Sequence, residues 1–288
     1  MELTALASWL NTFFAGYDYA ILGALHTAAQ YAGSVLTPLM KVISLLGEKG
    51  LLMFLLSLIL VLFPRTRKMG ICVFGAVCCG ALITNIILKD MVARPRPFQS
   101  SELYRQWWNF VGAAAEDDFS FPSGHVTAIT AGMSALYFTC RRRHKSVLFW
   151  GAVVAVLLMA ISRNYMVAHY PSDVLFAAAI GLFSAVVAYL ITLLIFRILE
   201  DHDDLRFCAA ILDADIRDLP ETLRARREAR PVPETDLEED EEEEAPPAEA
   251  APVPEDTTIA EEAPEPERVP AAVRKKPAVK KGAYVPKH

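Results

Sequence analysis

A histidine and a carboxylate lie close together late in the apolar part of the chain. His169 and Asp173 are four residues apart, and Pro171 between them suits the first turn of a helix. The Asp173 carboxylate can then accept a hydrogen bond from one imidazole nitrogen of His169, which leaves the other nitrogen free to attack phosphorus. Taken alone, Asp173 is equally typical of a residue that stabilises a helix start.

Ser123, Gly124 and His125 stand where a polar stretch becomes apolar. If a helix begins there, its unpaired N–H groups and positive dipole end favour an anion, and glycine allows the anion close to the backbone. Ser123 alone is also typical of an ordinary N-cap. His125 lacks such an ordinary explanation, because apolar residues follow it directly.

Four cations accompany these residues. Lys89, Arg94 and Arg96 precede them, each arginine is followed by a proline, and Arg163 comes before His169. Prolines stiffen the backbone, and guanidinium groups bind phosphate oxygens in bidentate fashion. The cations have one alternative role, which is to reach towards lipid headgroups.

The clusters together predict phosphoryl transfer without a metal, since they supply positive charge, a nucleophile and a general acid. Glu116, Asp117 and Asp118 lie between them in the sequence. We interpret these three as a solvated loop or a lid, because they do not resemble a two-metal site.

The elements that position these residues are predicted to be transmembrane helices. Hydrophobic residues make up 53% of the chain and are concentrated before about residue 199. A span needs ~20 mostly apolar residues. Five segments meet or approach that: 51–63 (lengthened by 43–46), 69–88, 126–140, 147–161 and 174–199. A sixth, 19–40, either spans the membrane or lies along its surface, so we predict an all-α bundle of five to six spans.

Basic loops predict the orientation of this bundle. One holds Arg65, Arg67 and Lys68, and the other holds Arg141, Arg142, Arg143, His144 and Lys145. Both lie on one side if the spans alternate, and the positive-inside rule places that side in the cytoplasm. Loops 89–125 and 163–173 then face the extracytoplasmic side of the plasma membrane. No signal peptide is expected at the N-terminus.

The C-terminal part has a different composition. Residues 1–199 form the predicted membrane domain, 200–230 a juxtamembrane segment with a possible short helix, and 231–288 a tail rich in Pro, Ala and Glu with a basic end. Such a tail is expected to be disordered and cytoplasmic, without an identified partner. Its acidic run accounts for much of the net charge of −6. The five cysteines form no CxxC pair and are expected to fill apolar space.

The sequence resembles the type 2 phosphatidic acid phosphatase family of integral membrane phosphatases. The family pattern of lysine, six residues and Arg-Pro is matched by Lys89, Arg96 and Pro97. Pro-Ser-Gly-His is matched by residues 122–125, and Ser-Arg, five residues, His, three residues and Asp by Ser162, Arg163, His169 and Asp173. The resemblance covers about 43–199 and leaves out the tail.

The resemblance implies a division of roles and no cofactor or metal. His169 forms a phosphohistidine, Asp173 orients it, and His125 protonates the leaving oxygen. The phosphate is held by Lys89, Arg96, Ser123, Gly124 and Arg163, with Arg94 as an accessory.

The implied activity is hydrolysis of a lipid phosphate or diphosphate. Undecaprenyl diphosphate is the expected substrate, and phosphatidylglycerol phosphate or phosphatidate is the alternative. Different classes of function remain open: an anion transporter, for which polar residues at mid-depth are expected, and a non-catalytic lipid-binding protein. A vanadate-using haloperoxidase has a similar anion site, but those proteins are soluble. Nucleic acid is not an expected partner.

Overall fold

The computed structural model describes residues 3–202, and within that range the chain is helical with no β-strand. The predicted juxtamembrane helix and disordered tail lie outside the described residues. The helices are α1 (Ala5–Phe13), α2 (Ala15–Leu46), α3 (Leu51–Val61), α4 (Pro64–Ala81), α5 (Lys89–Val92), α6 (Pro97–Ser100), α7 (Glu102–Val111), α8 (Gly124–Thr139), α9 (Lys145–Tyr165) and α10 (Pro171–Asp201). Short 3-10 turns precede α3 and α9, and a π-helical segment, Leu82–Leu88, follows α4.

Helices α4, α8 and α10 form the centre of the bundle, with α3 and α9 packed around them. Their contacts depend on small residues. A Cβ built on Gly181 of α10 would lie 2.7 Å from the backbone oxygen of Thr127, and one on Gly80 of α4 would lie 2.9 Å from the Thr127 side chain. Helices in lipid associate through such close packing, because apolar surface alone gives no preference for protein over lipid.

Between residues 3 and 202, three helical segments are long and apolar enough to cross a membrane: Pro64–Ser100, Arg142–Tyr165 and Pro171–Asp201. A fourth is counted if α2 and α3, which meet at a 45° bend, form one broken span. The sequence predicted five or six. The lower count has two causes. The predicted spans 19–40 and 51–63 fall into that bent pair, and α8, which corresponds to the predicted span 126–140, has only 16 residues.

The segment that follows α4 places Lys89 and Arg96 at one end of the bundle. The π-helical turn leads into the single turn of α5, which starts at Lys89 and ends at Ala93 in the left-handed conformation (φ 50°). π-Helical turns are often found at functional sites. Ala93 reverses the chain, and Arg96 then follows in an extended conformation (φ −69°, ψ 155°) just before α6.

We predict that Gly181→Ala destabilises the protein by about 1–3 kcal/mol, because the new methyl group meets backbone atoms that cannot move aside. Gly151→Ala on α9 is the matched control, since a Cβ there has no neighbour within 4 Å. Thermal unfolding in detergent measures both. Equal midpoints for the two variants would show that α8 and α10 are less tightly packed than described.

Candidate active site

One cavity of about 1230 Å³ brings most of the predicted site residues together. Its lining includes Lys89, Arg96, Gly124, His125, Arg163 and His169. Five places in the chain supply them: the start of α5, the residue before α6, the start of α8, the end of α9 and the loop before α10. The other predicted residues, Arg94, Ser123 and Asp173, are fully buried outside this lining.

His169 is positioned by the short connection between α9 and α10. Pro171 begins α10 as predicted, and Val167 adopts the left-handed conformation (φ 53°) that turns the chain after α9. The Nδ1 atom of His169 lies 2.7 Å from the backbone oxygen of Ser120, and Nε2 lies 3.4 Å from a terminal nitrogen of Arg96. A carbonyl only accepts hydrogen bonds, so Nδ1 carries the hydrogen and Nε2 keeps a free lone pair beside Arg96.

His169 is therefore suited to act as a nucleophile. Burial lowers the pKa of His169 well below its usual value, and the positive charges of Arg96 and Arg163 add to the effect. The imidazole is neutral at pH 7 in this environment, and only a neutral imidazole has a lone pair with which to attack.

Asp173 does not form the direct hydrogen bond to His169 that the spacing suggested. Its nearer carboxylate oxygen is 4.0 Å from Nδ1. The carboxylate instead accepts hydrogen bonds from the Ser120 hydroxyl, the Tyr170 backbone N–H and Arg94. Helix geometry explains the difference, because Asp173 folds back to cap the first turn of its own helix.

Arg94 lies behind the site and not in the phosphate position. Its side chain is fully buried, forms ion pairs with Asp18 and Asp173, and lies 3.8 Å above the Tyr170 ring. Arg94 is not among the residues that line the cavity, so its contacts favour a structural role over the expected accessory role in phosphate binding.

Carboxylates of loop 112–123 form ion pairs with the remaining predicted cations of the site. Lys89 pairs with Asp118, Arg163 pairs with Glu116, and Arg96 pairs with both carboxylates. Arg96 also donates to the backbone oxygens of Asp118 and Ala168, each at 2.8 Å. These ion pairs favour the lid alternative for Glu116 and Asp118, although the Asp118 side chain remains half exposed to solvent.

The surroundings of both carboxylates favour the charged form. Burial of Glu116 disfavours ionisation, but the charges of Arg163 and Arg96 outweigh that penalty and hold its pKa below the usual value. Burial of Asp118 acts in the same way, and hydrogen bonds from Lys89 and Arg96 overcome it and lower the pKa of that carboxyl. Negative oxygens therefore contact the N–H groups that a phosphate would need.

The start of α8 leaves polar groups available for an anion. Ser123 occupies the N-cap position, yet its hydroxyl makes no capping hydrogen bond and has no hydrogen-bond partner among the described residues. The buried Nε of Arg163 likewise lacks a described partner, while its NH1 donates to Ser44 at 2.7 Å. His125 follows at the second residue of the helix and lines the cavity. An ordinary N-cap role for Ser123 is not supported.

The comparisons with known proteins identify the family of this chain. The family model described as PAP2 superfamily matches residues 69–197, which include every signature residue. Undecaprenyl-diphosphatase BcrC of Bacillus subtilis (strain 168) is 31% identical over 180 residues, which cover 62% of this chain and 83% of that protein. This chain belongs to the PAP2 superfamily.

Other PAP2 relatives match shorter stretches. An undecaprenyl-diphosphatase of Sulfolobus acidocaldarius is 30% identical over 43% of this chain and 55% of its own length. Phosphatidylglycerophosphatase B of Bacillus subtilis is 31% identical over 35% of this chain and 47% of its own. The crystal structure of a PAP2-type phosphatidylglycerolphosphate phosphatase from Bacillus subtilis has a TM-score of 0.51 at 23% identity, covering 70% of this chain and 93% of that one, so the two share a fold.

We predict that the double variant Glu116→Gln, Asp118→Asn binds inorganic phosphate about tenfold more tightly than the native protein. Neutral amides compete less well for the three cations, and a change of about 1.4 kcal/mol corresponds to tenfold. Competitive inhibition by phosphate in a turnover assay provides the measurement.

The control for that variant removes the same charge elsewhere. Glu102→Gln, Asp201→Asn changes two exposed carboxylates that pair with Arg105 and Arg197, outside the cavity. Its phosphate affinity is expected to stay at the native value. Equal or weaker phosphate binding by the loop variant would contradict the competition between its carboxylates and the anion.

Proposed function

We propose that this PAP2 phosphatase hydrolyses the diphosphate of a membrane lipid, undecaprenyl diphosphate, through a phosphohistidine on His169. The observation that carries the proposal is the free Nε2 of a neutral His169 beside Arg96, in a cavity lined by cations. A nucleophile and charge stabilisation therefore lie within one site.

The first chemical step forms the covalent intermediate. Nε2 of His169 attacks the terminal phosphorus, and the bond from phosphorus to the leaving oxygen breaks. His125 donates to that oxygen a proton that it takes up when the anionic substrate binds, because burial and the charge of Arg163 lower its pKa to about 4 in the free site. Arg96, Arg163 and Lys89 bind the phosphoryl oxygens as negative charge spreads over them. The products are lipid monophosphate and phosphohistidine.

The second step regenerates the enzyme. His125, now without its proton, accepts one from water while the water oxygen attacks phosphorus. The bond between phosphorus and Nε2 then breaks, its electron pair returns to the imidazole, and inorganic phosphate leaves. One residue thus acts as acid and then as base. No metal or cofactor takes part in the proposed steps.

The arrangement of helix ends supports an extracytoplasmic site. Arg65 and Arg67 lie at the start of α4, whereas Lys89 follows its far end beyond the π-helical turn. The basic residues 141–145 connect the end of α8 to the start of α9, again opposite the site. The positive-inside rule assigns those basic ends to the cytoplasmic side of the plasma membrane.

The substrate assignment is supported by two relatives named as undecaprenyl-diphosphatases. The cavity wall also includes apolar residues, among them Leu45, Val77 and Ala128, against which a prenyl chain can pack. Phosphatidylglycerol phosphate is the second candidate, because a third relative is named phosphatidylglycerophosphatase B.

We predict that His169→Ala lowers turnover by about 10³-fold or more, since the covalent step loses its nucleophile. Phosphate release from undecaprenyl diphosphate by the purified variant measures this. His144→Ala, an exposed histidine of the basic connection before α9, should retain native activity. Turnover by His169→Ala within tenfold of the native rate would exclude His169 as the nucleophile.

A second test addresses the substrate and the absence of a metal. Phosphate release is compared for undecaprenyl diphosphate, phosphatidylglycerol phosphate, phosphatidate and inorganic diphosphate, each with and without EDTA. We expect the highest kcat/KM for undecaprenyl diphosphate and no effect of the chelator. A higher value for phosphatidylglycerol phosphate would transfer the assignment to that lipid, and loss of activity in EDTA would overturn the metal-free mechanism.

A further inference from the structure

Ser120 joins the nucleophile to the buried polar network behind it. It is completely buried and uses its backbone and its side chain at once. Its carbonyl oxygen is 2.7 Å from His169 Nδ1, its hydroxyl donates to Asp173 at 2.5 Å, and its N–H donates to the Arg94 carbonyl at 2.8 Å. Ser120 is outside the family signature that the sequence matches.

The contact between Ser120 and His169 determines which imidazole nitrogen can react. Because the carbonyl has no hydrogen to give, the hydrogen of neutral His169 must be on Nδ1, and Nε2 faces Arg96 without one. Asp173, at 4.0 Å from Nδ1, is too far away to impose this tautomer by a hydrogen bond.

Asp173 holds Ser120, and Arg94 holds Asp173. One terminal nitrogen of Arg94 donates to Asp173 and to the Ser172 hydroxyl, and the other donates to Asp18 at 2.9 Å. Asp18 belongs to α2 and also accepts hydrogen bonds from the Ser172 N–H and hydroxyl, both at 2.8 Å. Each polar group in this sequence of contacts has a partner, so the Ser120 carbonyl has little freedom to turn away.

We propose that Ser120 is a positioning residue for catalysis, which orients His169 through its carbonyl and is itself held by its hydroxyl on Asp173. The proposal rests on the proposed role of His169 as the nucleophile. In this proposal Asp173 acts on the imidazole indirectly, through Ser120. Asp18 of α2 belongs to the same network of hydrogen bonds.

The arrangement also suits the covalent intermediate. When Nε2 bonds to phosphorus, the imidazole keeps the hydrogen on Nδ1 and becomes positively charged. The Ser120 carbonyl accepts a stronger hydrogen bond from that charged ring, and the Asp173 carboxylate 4.0 Å away adds electrostatic stabilisation. Loss of the serine hydroxyl would loosen this geometry without removing a group that contacts phosphate.

Ser120→Ala tests the proposal, because it keeps the backbone carbonyl and deletes only the hydroxyl contact to Asp173. We expect kcat to fall by about 10- to 100-fold, because a small misplacement of a reacting group lowers the rate by that order. KM and inhibition by inorganic phosphate should stay within about twofold of native values, since the cations are unchanged. Ser120→Cys, with a weak S–H donor of similar size, should recover part of kcat.

The matched control is Ser184→Ala, which removes another fully buried hydroxyl, bonded at 2.8 Å to the Ile180 carbonyl far along α10. It should leave kcat near the native value. If Ser120→Ala and Ser120→Cys both turn over at the rate of this control, the positioning role is wrong. An equal loss of kcat and phosphate affinity would also overturn it, by showing a collapsed site.

The same measurements separate this inference from the proposed function. His169→Ala is assayed alongside. An inactive His169→Ala with a fully active Ser120→Ala rejects the positioning role alone. An active His169→Ala rejects the nucleophile, and the role of Ser120 with it.

Discussion

The buried guanidinium of Arg94 is the interaction on which the site depends most. Its charge is shared between Asp18 of α2 and Asp173 of α10, and Arg94 itself lies in the segment after α5. Removing one partner of such a buried pair typically costs about 3–5 kcal/mol, because the remaining charge stays desolvated. Three elements far apart in sequence are therefore held in one geometry. The contact between Ser120 and His169 is positioned by these three elements.

A second constraint is the like charge of the phosphate site. Lys89, Arg96 and Arg163 converge on one cavity with their side chains mostly buried, where unpaired cations repel one another strongly. The loop carboxylates of Glu116 and Asp118 neutralise this charge. Under the proposed function a phosphate displaces them, so the free energy of substrate binding is the difference between two sets of ion pairs. Affinity and access are then linked through one loop.

These two networks have different tasks. The pairs around Arg94 are closed to the cavity and give rigidity, whereas those around Arg96 face the cavity and can be exchanged for substrate oxygens. His169 lies at the boundary, with Nδ1 directed to the rigid network and Nε2 to the exchangeable one. Under the proposed function, this division lets His169 be firmly oriented in a site that must still admit a large lipid.

Much of the site could be predicted from sequence. Three local motifs indicated the chemistry, because residues close in sequence stay close in space on a helix end or a short loop. These motifs are the spacing of Lys89 and Arg96, the Ser123-Gly124-His125 helix start and the His169–Asp173 pair. The apolar segments indicated helices for the same reason, since periodicity and length are local properties. The family assignment followed from these residues and is confirmed.

The other features were decided by tertiary contacts. Asp18 meets Ser172 across 154 residues, and the Ser120 carbonyl reaches His169 across 49. The acidic residues 116–118 were interpreted as a solvated loop or a lid, and the pairing of Glu116 and Asp118 with Arg96 depends on how the loop folds over the cavity. The sequence by itself thus determined the family and the candidate groups for the chemistry. Only the packed structure decided which partner each of these groups contacts, because hydrogen bonds and buried charges are paired by proximity in space and not along the chain.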